Sequence, residues 1–211
     1  MGETRDLASV VNLDAGTWAR DLASALAGPG AVVMTSGGGS PGGSGTPPIL
    51  SLLSHPAPVL GVLSGAAVGP AALGLLACDG ILWLRGGALL LEPRGEGEVT
   101  LLARRMGEAG AARVWFSGGR LGRREALRSG WARAFSGTMR EAVAEAARFA
   151  SGLSPGALAL LRPLLNHQEG LGRGPAEALE RASFALAFAG RDREEGIRAF
   201  LEKRTPGFER S

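Results

Sequence analysis

An α/β fold is predicted for this chain by three features of its sequence. Short apolar runs of strand length alternate with glycine turns and helical patterns through about the first 135 residues. The remainder reads as one helix after another. Hydrophobic residues make up 45% of a 211-residue chain, which supplies a sizeable core at a length typical of one domain. We therefore expect one domain over 1–211, with an α/β core to about 135 and a helical part over about 138–211. That composition excludes a disordered chain, and the 34 glycines follow no three-residue period, which excludes collagen.

The elements follow in chain order. Leu22, Ala25 and Leu26 sit at helical spacing within Asp14–Leu26, with Asp14 as the expected cap, and Gly28-Pro29-Gly30 stops that helix. Before it, Val10-Val11-Asn12-Leu13 is a possible strand. Ala31–Thr35 reads as a buried strand, followed by a loop of glycine, serine, threonine and proline over Ser36–Pro48. Ile49–Ser54 is expected to form one or two helical turns, and Val59–Leu63 a second buried strand. After Gly65 and Gly69, Pro70 suits the first position of a helix over Ala71–Cys78, and Ile81–Leu84 is a third strand. Helices are then predicted over Glu98–Gly107, Arg123–Gly130, Thr138–Ser151, a segment begun by Ser154-Pro155, Pro175–Ala189 and Asp192–Arg204. Asp192 and Glu195 have the spacing of a capping box.

Several function classes fall away on composition. The 23 basic residues exceed the 20 acids by only three charges, too few for a nucleic-acid face. The most apolar stretch, Val59–Leu84, is broken by glycines, Pro70 and Asp79, so it does not read as a membrane span. A single cysteine, Cys78, forbids an intrachain disulfide and fits a cytoplasmic location. His55 and His167 stand far apart without a metal-ligand spacing, so no metal site is expected. Ser40 and Ser44 lack a nucleophile elbow, and the glycine loop lacks the Gly-Lys-Ser/Thr ending of a phosphate loop. The four tryptophans, Trp18, Trp83, Trp115 and Trp131, are read as core or interface residues.

Three segments carry a resemblance. Pro58–Gly69 continues to Ala77-Cys78-Asp79 as a strand, a glycine turn and a helix. Gly118-Gly119-Arg120-Leu121 leads into Glu125-Ala126-Leu127-Arg128-Ser129-Gly130. Asp192-Arg193-Glu194-Glu195-Gly196-Ile197-Arg198-Ala199-Phe200-Leu201-Glu202-Lys203-Arg204-Thr205-Pro206 forms the ending. Together they resemble the enoyl-CoA hydratase/isomerase (crotonase) superfamily over about Ala31–Phe208. The resemblance implies a spiral of strand-strand-helix turns with a helical C-terminal region, and homotrimers or hexamers. It also implies an acyl thioester as ligand, on coenzyme A or an acyl carrier, with no covalently bound cofactor.

Such proteins hold the thioester oxygen with two backbone N–H groups, each worth roughly 3–4 kcal/mol to a developing negative charge. By resemblance, the first donor falls in the glycine loop at Ser44 or Gly45, a segment whose composition also suits a plain linker. The second falls on Pro70, which has no N–H, so either the hole has one donor or Ala71 moves in. Of the two carboxylates that hydration requires, the first position holds Leu73. Glu92 is the candidate for the second, and its other reading is a solvated loop acid. Phe200 and Lys203, the chain's sole lysine, match positions that hold coenzyme A, although the same helix also suits trimer packing. The opening hairpin and a lid helix of such proteins are abbreviated. The expected function is thus thioester binding with isomerase- or decarboxylase-like chemistry and degenerate hydration. The alternative is a non-catalytic subunit that supports a partner enzyme of polyketide-synthase type.

Overall fold

A computed structural model describes residues 8–28, 30–38, 47–167 and 170–208, the side chain of His167 excepted. The first half contains β1 (Ala8–Asn12), α1 (Trp18–Ala27), β2 (Ala31–Ser36), α2 (Ile49–Ser54), β3 (Val59–Leu63), β4 (Ala66–Val68), α3 (Pro70–Ala77), β5 (Gly80–Trp83) and β6 (Ala88–Leu90). It continues with α4 (Glu98–Phe116), β7 (Arg120–Gly122), α5 (Arg123–Arg128) and β8 (Ala132–Ala134). Four helices close the chain: α6 (Met139–Ser151), α7 (Pro155–His167), α8 (Arg173–Ala189) and α9 (Arg191–Glu202).

A parallel sheet runs in the order β1-β2-β3-β5-β8, and a smaller sheet runs β4-β6-β7. Each turn of the spiral gives one strand to the first sheet and the next to the second, and then a helix: β3-β4-α3, followed by β5-β6-α4. Strand alternation sorts the side chains. Val32, Met34, Val59, Leu63, Ile81 and Trp83 enter the main core with α3 and α4. Val33, Val62, Leu82 and Leu84 face the opposite way and pack on Ala142 and Ala146 of α6. Every residue of α3 is buried, as expected for a helix that is apolar all round. Trp18, Trp83 and Trp131 are core residues, and Trp115 packs at the core's edge.

Most predicted elements are present, with informative differences. The strands β4, β6, β7 and β8 have three residues each, too short to leave a periodic signal. The helix expected to end at Gly107 resumes after it: Gly107 breaks the helical geometry at φ 72°, and α4 continues to Phe116. Thr138 caps α6 through a complete capping box with Glu141, and Ser154 Oγ accepts the Ala157 N–H at the start of α7.

Two expected caps are corrected. Asp14 does not cap α1; its carboxylate accepts Ser36 Oγ–H at 2.9 Å and the Gly37 N–H at 2.6 Å, at the end of β2. Asp192 caps the neighbouring helix rather than its own, accepting from Ser154 Oγ at 2.6 Å and the Gly156 N–H at 3.0 Å. Glu195 likewise turns to the C-terminal tail. It accepts from Arg204 at 2.6 and 3.0 Å and from the Gly207 N–H at 2.7 Å.

The Arg204 hydrogen bonds, and then that of Gly207, pull the Glu195 carboxyl down from 4.5 to about 2. A depressed carboxyl contributes stability that is present above its unfolded value and lost as pH falls through the folded one. The tail at 204–207 is therefore expected to release from α9 between about pH 4.5 and pH 2. Amide exchange at Gly207 followed by NMR reads this directly, and Glu195→Gln should release the tail already at pH 7.

Candidate active site

Of the sequence-derived candidates, Pro70, Ala71 and Glu92 come together at the start of α3. The chain leaves β2 through Gly37 and Gly38, which cross the turn between β3 and β4. A Cβ on Gly65 would lie 2.1 Å from the Gly37 carbonyl oxygen, so only glycine fits that crossing. Ser64 N–H donates to the Ser36 carbonyl at 3.0 Å, and Asp14 holds Ser36 and Gly37 from the other side. At its far end the loop returns beside α3, where Pro47 approaches the position a Gly74 Cβ would take, at 3.6 Å. Ser44 and Gly45 lie outside the described residues.

Gly69 precedes α3 at φ 52°, a left-handed value that favours glycine. Its N–H is spent on the Leu90 carbonyl at 3.1 Å, and its carbonyl accepts the Leu73 N–H at 3.0 Å. Pro70 occupies the first helical position and brings no N–H. Ala71 and Ala72 are buried, and their N–H groups find no acceptor among the described residues. Two amides at the positive end of the helix dipole therefore remain for an incoming oxygen. At the other end of α3, Arg105 caps the carbonyls of Leu76 at 3.2 Å and Ala77 at 3.3 Å, and lies over the Trp131 ring. Burial lowers the pKa of its guanidinium from the ordinary value.

Sheet register brings Glu92 to this point. Val68 of β4 pairs with Leu90 of β6, so Gly69, one residue past β4, and Glu92, two residues past β6, become neighbours. A Cβ on Gly69 would stand 3.1 Å from Glu92 Oε2. Arg94, which the sequence did not single out, joins them with Nη1 3.9 Å from Glu92 Oε2, and its Nε lies 3.7 Å from Glu96 Oε2. Glu98 is only 3% exposed; its Oε2 accepts the Glu96 N–H, and its Oε1 has no partner among the described residues. A cavity of about 440 Å³ opens at Glu96, lined by Ile49, Leu50 and Leu53 of α2 and by Leu101, Arg104 and Asn166.

Leu73, which the resemblance sets at the position of the first carboxylate, is 1% exposed in the main core. Phe200 and Lys203 are placed differently. They stand on α9, which packs against α7 and α8, with Phe200 82% exposed and Lys203 also facing solvent. Lys203 closes α9 at φ 54°, the single non-glycine residue with positive φ among those described.

Cys78-Asp79 is structural. Burial pushes the Cys78 thiol far up, which leaves it inert, and its carbonyl accepts Trp131 Nε1–H at 3.1 Å. Asp79 accepts the Val59 N–H at 2.8 Å and pairs with Arg162 of α7 at 3.0 Å. No group of three metal-ligating side chains occurs among the described residues, and none of their helices is long and apolar enough to cross a membrane.

The Enoyl-CoA hydratase/isomerase family model matches residues 44–211. The chain belongs to that family. A search of curated proteins finds no match. Among solved structures, an enoyl-CoA hydratase from Bacillus anthracis superposes with a TM-score of 0.81 at 19% identity, covering 100% of this chain and 98% of that one. An enoyl-CoA hydratase from Mycobacterium tuberculosis H37Rv gives 0.80 at 21% identity, with coverage of 100% and 98%. One from Polaromonas sp. JS666 gives 0.78 at 23%, with 99% of both chains covered. At these identities the likeness establishes the crotonase-like fold, with its parallel sheet and C-terminal helices.

Proposed function

We propose that the protein binds an acyl thioester of coenzyme A, or of an acyl carrier, at the start of α3 and stabilises an enolate there. The observation that carries this reading is that the Glu92 carboxylate lies against Gly69, two and three residues before Ala71 and Ala72, whose N–H groups have no acceptor among the described residues. The thioester oxygen accepts from the Ala71 N–H and from a donor in the glycine loop, at Ser44 or Gly45. Charge that develops on that oxygen lowers the barrier to loss of an α-proton, which Glu92 takes up. The acyl chain extends into the cavity between α2 and α4.

One carboxylate suits a proton moved from one carbon to another, or a decarboxylation that ends in protonation of the α-carbon. Water addition needs a second acid, and buried Leu73 stands in its place. Ordinary hydration is therefore not expected.

Phe200 and Lys203 serve the coenzyme of a neighbouring copy in this reading. The exposed apolar side chains of the C-terminal helices, among them Leu161, Leu165, Phe184, Leu186 and Phe188, support a homotrimer or a hexamer built from it. The left-handed Lys203 adds a test. A non-glycine residue there costs roughly 1 kcal/mol, so Lys203→Gly should leave stability unchanged or raise it by up to about that amount. Acyl-CoA affinity should fall in the same variant. Calorimetry and thermal unfolding on one sample separate the two effects.

Incubating the protein with butyryl-CoA in D₂O tests the enolate itself. Deuterium is expected at the α-carbon, and Glu92→Gln should abolish it. Pro70 and Leu73 also favour a second reading, a non-catalytic subunit that supports a partner enzyme. Tight thioester binding with no exchange would decide for that reading, and absence of any acyl-CoA binding would overturn the ligand assignment.

A further inference from the structure

Pro70 leaves the first turn of α3 one donor short, and a charged group stands beside Gly69, the residue before it. Arg94 Nη1 lies 4.0 Å from the point that a Cβ on Gly69 would occupy, on the same side as Glu92 Oε2. Its ion-pair distances, 3.9 Å to Glu92 and 3.7 Å to Glu96, exceed hydrogen-bond length. Its guanidinium donates no hydrogen bond to a described residue, and the side chain is 39% exposed. Exposed pairs of that length hold a side chain weakly, so the guanidinium is free to turn toward an oxygen at the helix start.

We propose that Arg94 donates to the thioester oxygen in place of the N–H that Pro70 lacks. This role rests on the thioester reading and adds a charged donor to those of Ala71 and the glycine loop, because Ala71 stands one residue past the position that lacks its N–H. A guanidinium suits the position because it is charged throughout the working pH range and offers several N–H donors in a fixed plane. A hydrogen bond from a charged donor is also stronger than one from a neutral backbone N–H. Glu92 and Glu96 then have a second consequence. Their charge attracts the cation toward Gly69 before substrate arrives, without consuming its donors.

The test uses 4-(dimethylamino)cinnamoyl-CoA, a chromophore whose absorbance moves to the red when its carbonyl oxygen is polarised. The unmodified protein should bind it with a red shift. Arg94→Gln should weaken binding about 10- to 100-fold and remove most of that shift. Arg94→Lys should retain part of both, which also controls for folding. Adding Pro70→Gly to Arg94→Gln should restore the shift, because a backbone N–H returns where the guanidinium was lost.

Full affinity and full shift in Arg94→Gln would overturn this role and leave the thioester reading intact. A loss that Pro70→Gly does not restore would also overturn it, since Arg94 would then act only as a counter-ion. No binding by the unmodified protein would overturn the thioester reading, and this role with it.

Discussion

Replacing Arg162 with methionine is expected to destabilise the protein by about 3–5 kcal/mol. The guanidinium is 5% exposed, and all five of its N–H groups are committed. Nε donates to Asp79 Oδ1 at 3.2 Å, and Nη2 donates to the same oxygen and to the Leu52 carbonyl, both at 3.0 Å. Nη1 donates to the carbonyls of Ala57, at 2.6 Å, and of His55. Exchanging a whole buried ion pair for apolar residues is often harmless, because both polar partners disappear together. Here three of the partners are backbone carbonyls, which no side-chain substitution removes. Each buried carbonyl left without a donor costs about 1–3 kcal/mol, and Asp79, whose side chain is 36% exposed, recovers part of its own loss from water. Lysine in place of Arg162 keeps the charge but has at most three donors, so it should recover only part of the difference. Chemical denaturation checks the figure; a loss under about 1 kcal/mol would show that α2 and α7 do not depend on this group.

The second large effect concerns chemistry and leaves the fold alone. Glu92→Gln is expected to lower any enolate-forming turnover by about 10²- to 10⁴-fold, the range for a positioned acid or base. The side chain is 54% exposed and its one ion pair among the described residues is long, so stability should change by less than about 0.5 kcal/mol. Glutamine keeps the size and loses the ability to take a proton. Rates measured with saturating substrate should fall while thioester affinity holds. A Glu92→Gln variant with undiminished turnover would place the base elsewhere, and buried Glu98 would then be the first residue to examine.

Comparison of sequence with structure shows which physics is local. Val59–Leu63 and the Pro70 helix start were legible because an apolar run between turn signals, and the fixed φ of proline, act within a few residues. Asp14 and Asp192 were misassigned for the converse reason. A short acid ahead of a helix has the same local signature whether it caps that helix or reaches another element. Asp14 turns to the end of β2 and Asp192 to the start of α7, partners 22 and 38 residues away. Arg94 was invisible for a related cause. Its nearness to Gly69 depends on the pairing of β4 with β6, two three-residue strands without periodicity. The residue types at the start of α3, Pro70 and Leu73 among them, are thus legible in the sequence, but their neighbours are not.

Titration with crotonyl-CoA is the most direct test of a thioester site that does not add water. Saturable binding by calorimetry is expected, with the absorbance of the conjugated thioester persisting over hours. Rapid loss of that absorbance through hydration, at rates ordinary for a hydratase, would contradict it.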